Sequence, residues 1–203
     1  MIDALVQLDT WLLLKLNAGA ANALFDWIMP IVTESRTWLP LIIGGLLALA
    51  IFGGGKGRTV VLLAVITLTA SDQLASFVIK PWIGRIRPCH DVEGVRLLYR
   101  CGGTFAFPSG HATSSMAAAI FFGIIYRRLL WLLLATSVLV SYSRVYLGIH
   151  YPFDVLGGWL LGGSLAALSL LAYYRLVQPF MNRFRFFRDV GSVSAPQLGE
   201  TNA

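Results

Sequence analysis

Residues 38–55 read WLPLIIGGLLALAIFGGG, eighteen consecutive positions without a charge. As a helix this run would be about 27 Å long, close to the ~30 Å of hydrocarbon in a bilayer. A water-soluble core has little use for so long an uncharged stretch, so it decides the fold. Four more runs of the same kind follow, at about 59–79, 109–126, 129–149 and 153–175. The whole chain is 57% hydrophobic and 13% charged, where soluble domains carry about a quarter charged residues. In lipid every backbone polar group must be satisfied within its own segment or in a closed barrel. The expectation is therefore all-α: a polytopic membrane helical bundle with five transmembrane helices.

Upstream, residues 1–37 form an N-terminal segment that is apolar but interrupted by Asp3, Asp9, Lys15, Asn17 and Asp26. Leu5, Leu8, Leu12 and Leu16 fall at helical spacing, which suits one or two interfacial helices. A sixth span within 1–30 is the alternative. The acidic start and the poor cleavage context at 18–21 argue against a cleavable signal peptide. Downstream, 189–203 lacks hydrophobic periodicity and is expected to be disordered. This leaves 1–188 as a single membrane-embedded domain with its transmembrane core at 38–175. Gly157, Gly158, Gly162, Gly163 and Ala167 mark a close helix-packing face in the last span, either within the chain or in a dimer. The oligomeric state stays open. Trp38, Trp82, Trp131, Tyr126 and Tyr151 fall near span ends as interfacial anchors.

Three segments hold polar groups that a lipid-facing helix end has no reason to collect. They are Lys80 to Pro88, Phe107 to His111, and Ser143 to Asp154, and a five-span topology brings all three to one membrane face. Lys80, Arg87 and Arg144 supply fixed cations that suit a phosphate dianion. Ser109 and Gly110 open a helix, where free N–H groups favour an anion and Gly110 permits close backbone approach. His111 and His150 can divide acid and nucleophilic roles. Asp154, four residues after His150, can hold one ring nitrogen and leave the other free. Asp72 lies inside the second span, where a carboxylate needs a partner; a supporting ion pair or hydrogen bond is expected of it. Arg85 is read as solvated or touching headgroups, and His90 as structural. The formal net charge of +6 resides in inter-helix segments rather than on a soluble basic face, which speaks against nucleic acid as partner.

The pattern Lys80-x6-Arg87-Pro88, Pro108-Ser-Gly-His111 and Ser143-Arg144-x5-His150-x3-Asp154 resembles the three-part signature of the type 2 phosphatidic acid phosphatases. That superfamily also contains soluble acid phosphatases and vanadium haloperoxidases. The resemblance implies that His150 attacks phosphorus to form a phosphohistidine and that Asp154 holds its imidazole. It implies that His111 protonates the leaving oxygen and then activates water. Lys80, Arg87, Arg144, Ser109 and the Gly110 amide would bind the phosphate oxygens. No metal ion or other cofactor is implied. The expected activity is hydrolysis of a lipid phosphate or diphosphate, with the headgroup reaching the site from water while its chains stay in the bilayer. Undecaprenyl diphosphate comes first among substrates; phosphatidylglycerophosphate, phosphatidic acid and lipid A phosphates are the alternatives. A headgroup phosphotransferase and a non-hydrolysing phosphate transporter are the rival classes.

Lys and Arg divide evenly between the two faces of a five-span chain. Setting aside Lys80, Arg87 and Arg144 as phosphate ligands tips the balance. Lys56, Arg58, Arg127, Arg128 and the basic segment from Arg175 then face the cytoplasm. This places the site on the outer, periplasmic face of a bacterial cytoplasmic membrane. Cys89 and Cys101 lie in the long outer loop, where a disulfide, two free thiols or a zinc site with His90 are the readings.

Overall fold

The computed structural model describes residues 2–183; the tail at 189–203, expected to be disordered, lies outside them. Two helices, α1 (Ile2–Asn17) and α2 (Ala23–Thr33), precede α3 (Ser35–Phe52) and α4 (Gly54–Gln73). The last of these runs on through a π-helical stretch, Leu74–Ile79, into a short α5 (Lys80–Ile83). A long loop carrying the one-turn α6 (Pro88–Asp91) leads to α7 (Gly110–Ile125), α8 (Leu130–Tyr146) and α9 (Pro152–Ala172). All five expected spans are helical. Four of these segments, Ser35–Phe52, Gly54–Ile83, Arg127–Tyr146 and Pro152–Arg183, are long and apolar enough to cross a membrane. The remaining one, α7, has 16 residues, about 24 Å of helix. It packs against α4, α8 and α9 at the centre of the bundle.

The outside of the bundle is as apolar as its interior. Leu41, Phe52, Trp82, Trp131 and Leu160 are all largely exposed, which is the arrangement lipid requires and water forbids. Inside, Val60, Ala64, Phe121, Ala166, Leu170 and Tyr173 form one core cluster between α4, α7 and α9. The glycine face of α9 serves this internal packing. A Cβ on Gly158 would lie 2.8 Å from the Ser109 carbonyl oxygen, and one on Gly162 would overlap the Thr113 carbonyl oxygen. Only hydrogen at these positions lets α9 meet the backbone of α7.

Of the α1 leucines, Leu16 packs against the core cluster around Leu13, Val145 and Val155, whereas Leu5 and Leu8 are exposed. The opposite face was not foreseen: Asp9, Leu13 and Asn17, four residues apart, are each fully buried. Asn17 donates to the carbonyls of Arg96 (2.8 Å) and Tyr146 (2.6 Å) and accepts from the Arg96 N–H (2.7 Å). The polar residues that interrupt the apolar pattern are thus the ones that fasten the helix, because a polar group away from water is costly until it is bonded. Arg96 also pairs with Asp26 of α2 at 2.7 Å.

The loop from 84 to 109 is held by a single antiparallel bridge, Ile86 to Phe105. Backbone bonds flank it from the Arg87 N–H to Thr104 (3.0 Å) and from the Ala106 N–H to Arg85 (2.7 Å). Cys89 and Cys101 are joined as a disulfide, closing a loop that in the chain-entropy view stabilises by about 3 kcal/mol. With both sulfurs in that bond, His90 has no thiolate beside it to share a metal.

Candidate active site

The three polar segments converge because three helix ends converge. The π-helical stretch after α4 delivers Lys80, and Gly84, at φ 67°, ends α5 and turns the chain toward Arg85 and Arg87. Ser109 is the N-cap of α7, and its N–H donates to the Asp154 carbonyl at 2.9 Å, tying the start of α7 to the first turn of α9. Arg144 ends α8. The turn that follows uses Gly148 at φ 77°, where a side chain would also strike the Arg96 carbonyl at 2.7 Å. That turn sets His150 just before α9.

His150 is 2% exposed and Asp154 is fully buried. The His150 Nδ1 lies 3.3 Å from Asp154 Oδ2, and its Nε2 lies 3.4 Å from Arg87 Nη1. A guanidinium can only donate, so Nε2 must carry the lone pair and Nδ1 the proton that faces Asp154. The surroundings favour this neutral form. Burial first, and then the cations of Arg87, Arg144 and Lys80, push the His150 imidazole well below its ordinary pKa. A neutral ring with its free lone pair turned toward a cationic pocket is chemically a nucleophile in waiting.

The cations surround that lone pair. Arg87 is braced by the Phe105 carbonyl at 3.2 Å, and Arg144 donates through Nη1 to Thr33 Oγ1 at 2.6 Å. Lys80 Nζ and Asp72 Oδ1 both border Gly110, 3.6 and 4.0 Å from where a Cβ would stand. Two buried polar atoms have no partner among the described residues: Ser109 Oγ and Arg144 Nε. Both can donate, both belong to this cluster, and buried donors are nearly always satisfied. An anion resting on the N-terminus of α7 would supply what they lack.

His111 lies one residue into α7. Its Nε2 is 3.1 Å from Ser35 Oγ and 3.2 Å from the Thr33 carbonyl. The corner between α2 and α3 therefore orients both His111 and Arg144, a role no sequence motif signalled. Asp72 is exposed at the edge of this cluster, with the Ser76 hydroxyl 3.5 Å away.

Two readings from sequence need correction. Arg85 is not a headgroup-contacting cation: it pairs with Asp154 at 2.9 Å and with Asp9 at 2.7 Å. Tyr151 is not an interfacial anchor, because it is buried with the Arg85 guanidinium stacked 3.8 Å over its ring. The signal available for Arg85 was the unpaired carboxylate of Asp9 in an apolar helix, a charge that lipid would not tolerate alone.

The model of the PAP2 superfamily matches residues 60–178, which carry all three polar segments. The chain belongs to the PAP2 superfamily. Relatives agree with that placement. A lipid A 4'-phosphatase of Bacteroides thetaiotaomicron is 34% identical over 172 residues, 80% of this chain and 76% of that one. An undecaprenyl-diphosphatase of Sulfolobus acidocaldarius is 36% identical over 115 residues, 56% of this chain and 53% of that one. The crystal structure of a transmembrane PAP2 type phosphatidylglycerolphosphate phosphatase from Bacillus subtilis superposes with a TM-score of 0.67 at 27% identity. It covers 85% of this chain and 88% of that one. This PAP2 protein is accordingly a membrane-embedded hydrolase, a lipid phosphatase.

Proposed function

We propose that this PAP2 protein hydrolyses a phosphate monoester on the sugar headgroup of a lipid, of the lipid A class, through a phosphohistidine at His150. The supporting observation is the cluster itself: the His150 Nε2 lone pair meets Arg87, and Ser109 Oγ and Arg144 Nε are buried without a partner among the described residues. In the first step Nε2 forms a bond to phosphorus as the bond to the leaving oxygen breaks, and His111 gives that oxygen a proton. In the second step His111 takes a proton from water, whose oxygen attacks phosphorus and frees His150 and inorganic phosphate. Lys80, Arg87, Arg144, Ser109 and the Gly110 N–H hold the three equatorial oxygens, where negative charge gathers in the transition state. Asp154 keeps the Nδ1 proton in place and balances the charge the ring acquires. Asp72 supports Lys80.

The relatives support this substrate class. The lipid A 4'-phosphatases of B. thetaiotaomicron and Porphyromonas gingivalis are 34% and 30% identical over 80% and 79% of this chain, whereas an undecaprenyl-diphosphatase of B. subtilis is 29% identical over 79% and that of S. acidocaldarius aligns with 56%. Undecaprenyl diphosphate is the second reading, favoured by the 36% identity of that shorter match. With Lys80, Arg87 and Arg144 set aside as phosphate ligands, the remaining Lys and Arg favour the opposite face as cytoplasmic, which supports a site outside the cytoplasm.

Phosphate release by purified protein from lipid A, undecaprenyl diphosphate, phosphatidylglycerophosphate and phosphatidic acid tests the reading. Lipid A is expected to give the highest kcat/KM; a higher value for undecaprenyl diphosphate would move the assignment to the second reading. Vanadate is expected to inhibit and EDTA to have no effect. Loss of activity in EDTA that zinc or magnesium restores would overturn the metal-free mechanism.

The acid role of His111 has its own test. His111→Ala should slow release of an alkyl or sugar alkoxide by about 10²–10⁴-fold, but that of a nitrophenolate far less, since nitrophenolate leaves without a proton. Equal losses for both leaving groups would remove His111 from the protonation step.

A further inference from the structure

Asp154 is held from two sides. Its Oδ2 accepts from His150 Nδ1 at 3.3 Å and from the Tyr151 N–H at 2.8 Å. Its Oδ1 accepts from Arg85 Nη1 at 2.9 Å, and the neighbouring Nη2 of Arg85 reaches Asp9 Oδ2 at 2.7 Å. The other oxygen of Asp9 accepts from the Phe153 N–H at 2.9 Å, one residue before Asp154. Both carboxylates are fully buried, and Arg85 lies flat on Tyr151 between them.

A guanidinium facing one carboxylate favours two parallel hydrogen bonds that engage both oxygens. Had Arg85 met Asp154 alone, it would draw on Oδ2 as well and compete with His150 for it. Asp9 prevents this by occupying Nη2, so that Arg85 touches Asp154 through one nitrogen and one oxygen. The charges matter as much as the geometry. Arg85 alone would cancel the charge of Asp154, whereas the set of two carboxylates and one guanidinium retains a net negative charge behind His150. The imidazole becomes positive as Nε2 bonds to phosphorus, and that retained charge stabilises it.

We infer that Asp9 and Arg85 are positioning residues for the reaction, making α1 part of the catalytic apparatus rather than only a membrane-surface anchor. The inference rests on the proposed pairing of His150 with Asp154. It separates from a purely structural role because it acts through Asp154.

The test is a double-mutant cycle on the full-length protein in detergent, with Asp9→Asn, Asp154→Asn and the pair, using a single lipid phosphate and following kcat and KM. Asp9→Asn is expected to lower kcat about 10–100-fold, the usual cost of losing a partner behind a reacting group, with KM changed by less than about threefold. In the Asp154→Asn background the same change should cost less than about twofold. The same loss in both backgrounds, or no loss from Asp9→Asn while Asp154→Asn is impaired, overturns the inference alone. Full activity of Asp154→Asn overturns the His150–Asp154 pairing and the inference with it. Should Asp9→Asn fail to fold, Arg85→Lys carries the test, since an ammonium keeps the charge but lacks the planar fork. Its kcat should fall while its thermal midpoint stays near that of the parent. Unchanged kcat in Arg85→Lys would overturn the inference.

Discussion

His150→Ala will abolish turnover, with kcat falling by about 10⁵-fold or more, while vanadate still binds. No other group in the cluster can take over the attack. Lys80, Arg87 and Arg144 are cations, Ser109 lacks a base positioned to activate it, and His111 is bound at Nε2 by the Thr33–Ser35 corner. Losing a nucleophile removes the covalent route entirely, which is why such changes lie at the extreme of mutational effects. The anion site is a different matter, because Ser109 Oγ and Arg144 Nε do not depend on the ring. Vanadate should therefore still raise the thermal midpoint of the variant in detergent. The parent protein, quenched in base after brief exposure to ³²P-labelled substrate, should carry acid-labile label that the variant lacks. Residual turnover within about tenfold of the parent would exclude His150 as the nucleophile.

Gly162→Ala should destabilise the bundle by about 3 kcal/mol or more, since an added Cβ there meets backbone more closely than at any other described glycine. Overpacking commonly costs ~1–3 kcal/mol because side chains can shift aside. Here the obstacle is the Thr113 carbonyl oxygen and, behind it, the Ala117 backbone nitrogen. Backbone can yield only if α9 moves away from α7 as a whole. That movement would also stretch the bond from the Ser109 N–H to the Asp154 carbonyl, so the anion site and the dyad would separate. Thermal unfolding in detergent, read by tryptophan fluorescence together with activity, measures the effect. Gly44→Ala and Gly45→Ala are the controls, since nothing lies within 4 Å of either added methyl and alanine suits a helix better. An unchanged midpoint for Gly162→Ala would mean that the two helices do not meet this closely.

The parts of this protein that sequence discloses are those written in local chemistry. An uncharged run long enough to cross lipid has few other uses, so the bundle was legible from 38–55 onward. Lys80, Arg87, Ser109, His111, Arg144, His150 and Asp154 were legible because their types converge on one chemistry, and the structure brings them to one place. The shortness of α7 was less so, since hydropathy marks a span without fixing where its helix ends. Arg85, Asp9, Thr33 and Ser35 were missed for another reason. Arg85 meets Asp9 across 76 positions and Arg144 meets Thr33 across 111, and nothing local announces either partner. In α1 the helix was legible from its spacing, and the burial of Asp9, Leu13 and Asn17 was not. Lipid rather than water lies outside, so polar side chains seek the protein. The lipid carried by the substrate was the least legible of all, because the motif residues address phosphate alone.

The attachment of α3 has a mechanical side. Along its 18 residues none is buried, and α4 is the helix against which it chiefly packs. Its root behaves differently, since Thr33 and Ser35 reach Arg144 and His111. A helix exposed along its shaft and fastened at its foot has its pivot where Thr33 and Ser35 hold Arg144 and His111. Were α3 to swing on that foot, His111 and Arg144 are the members of the cluster that would feel it.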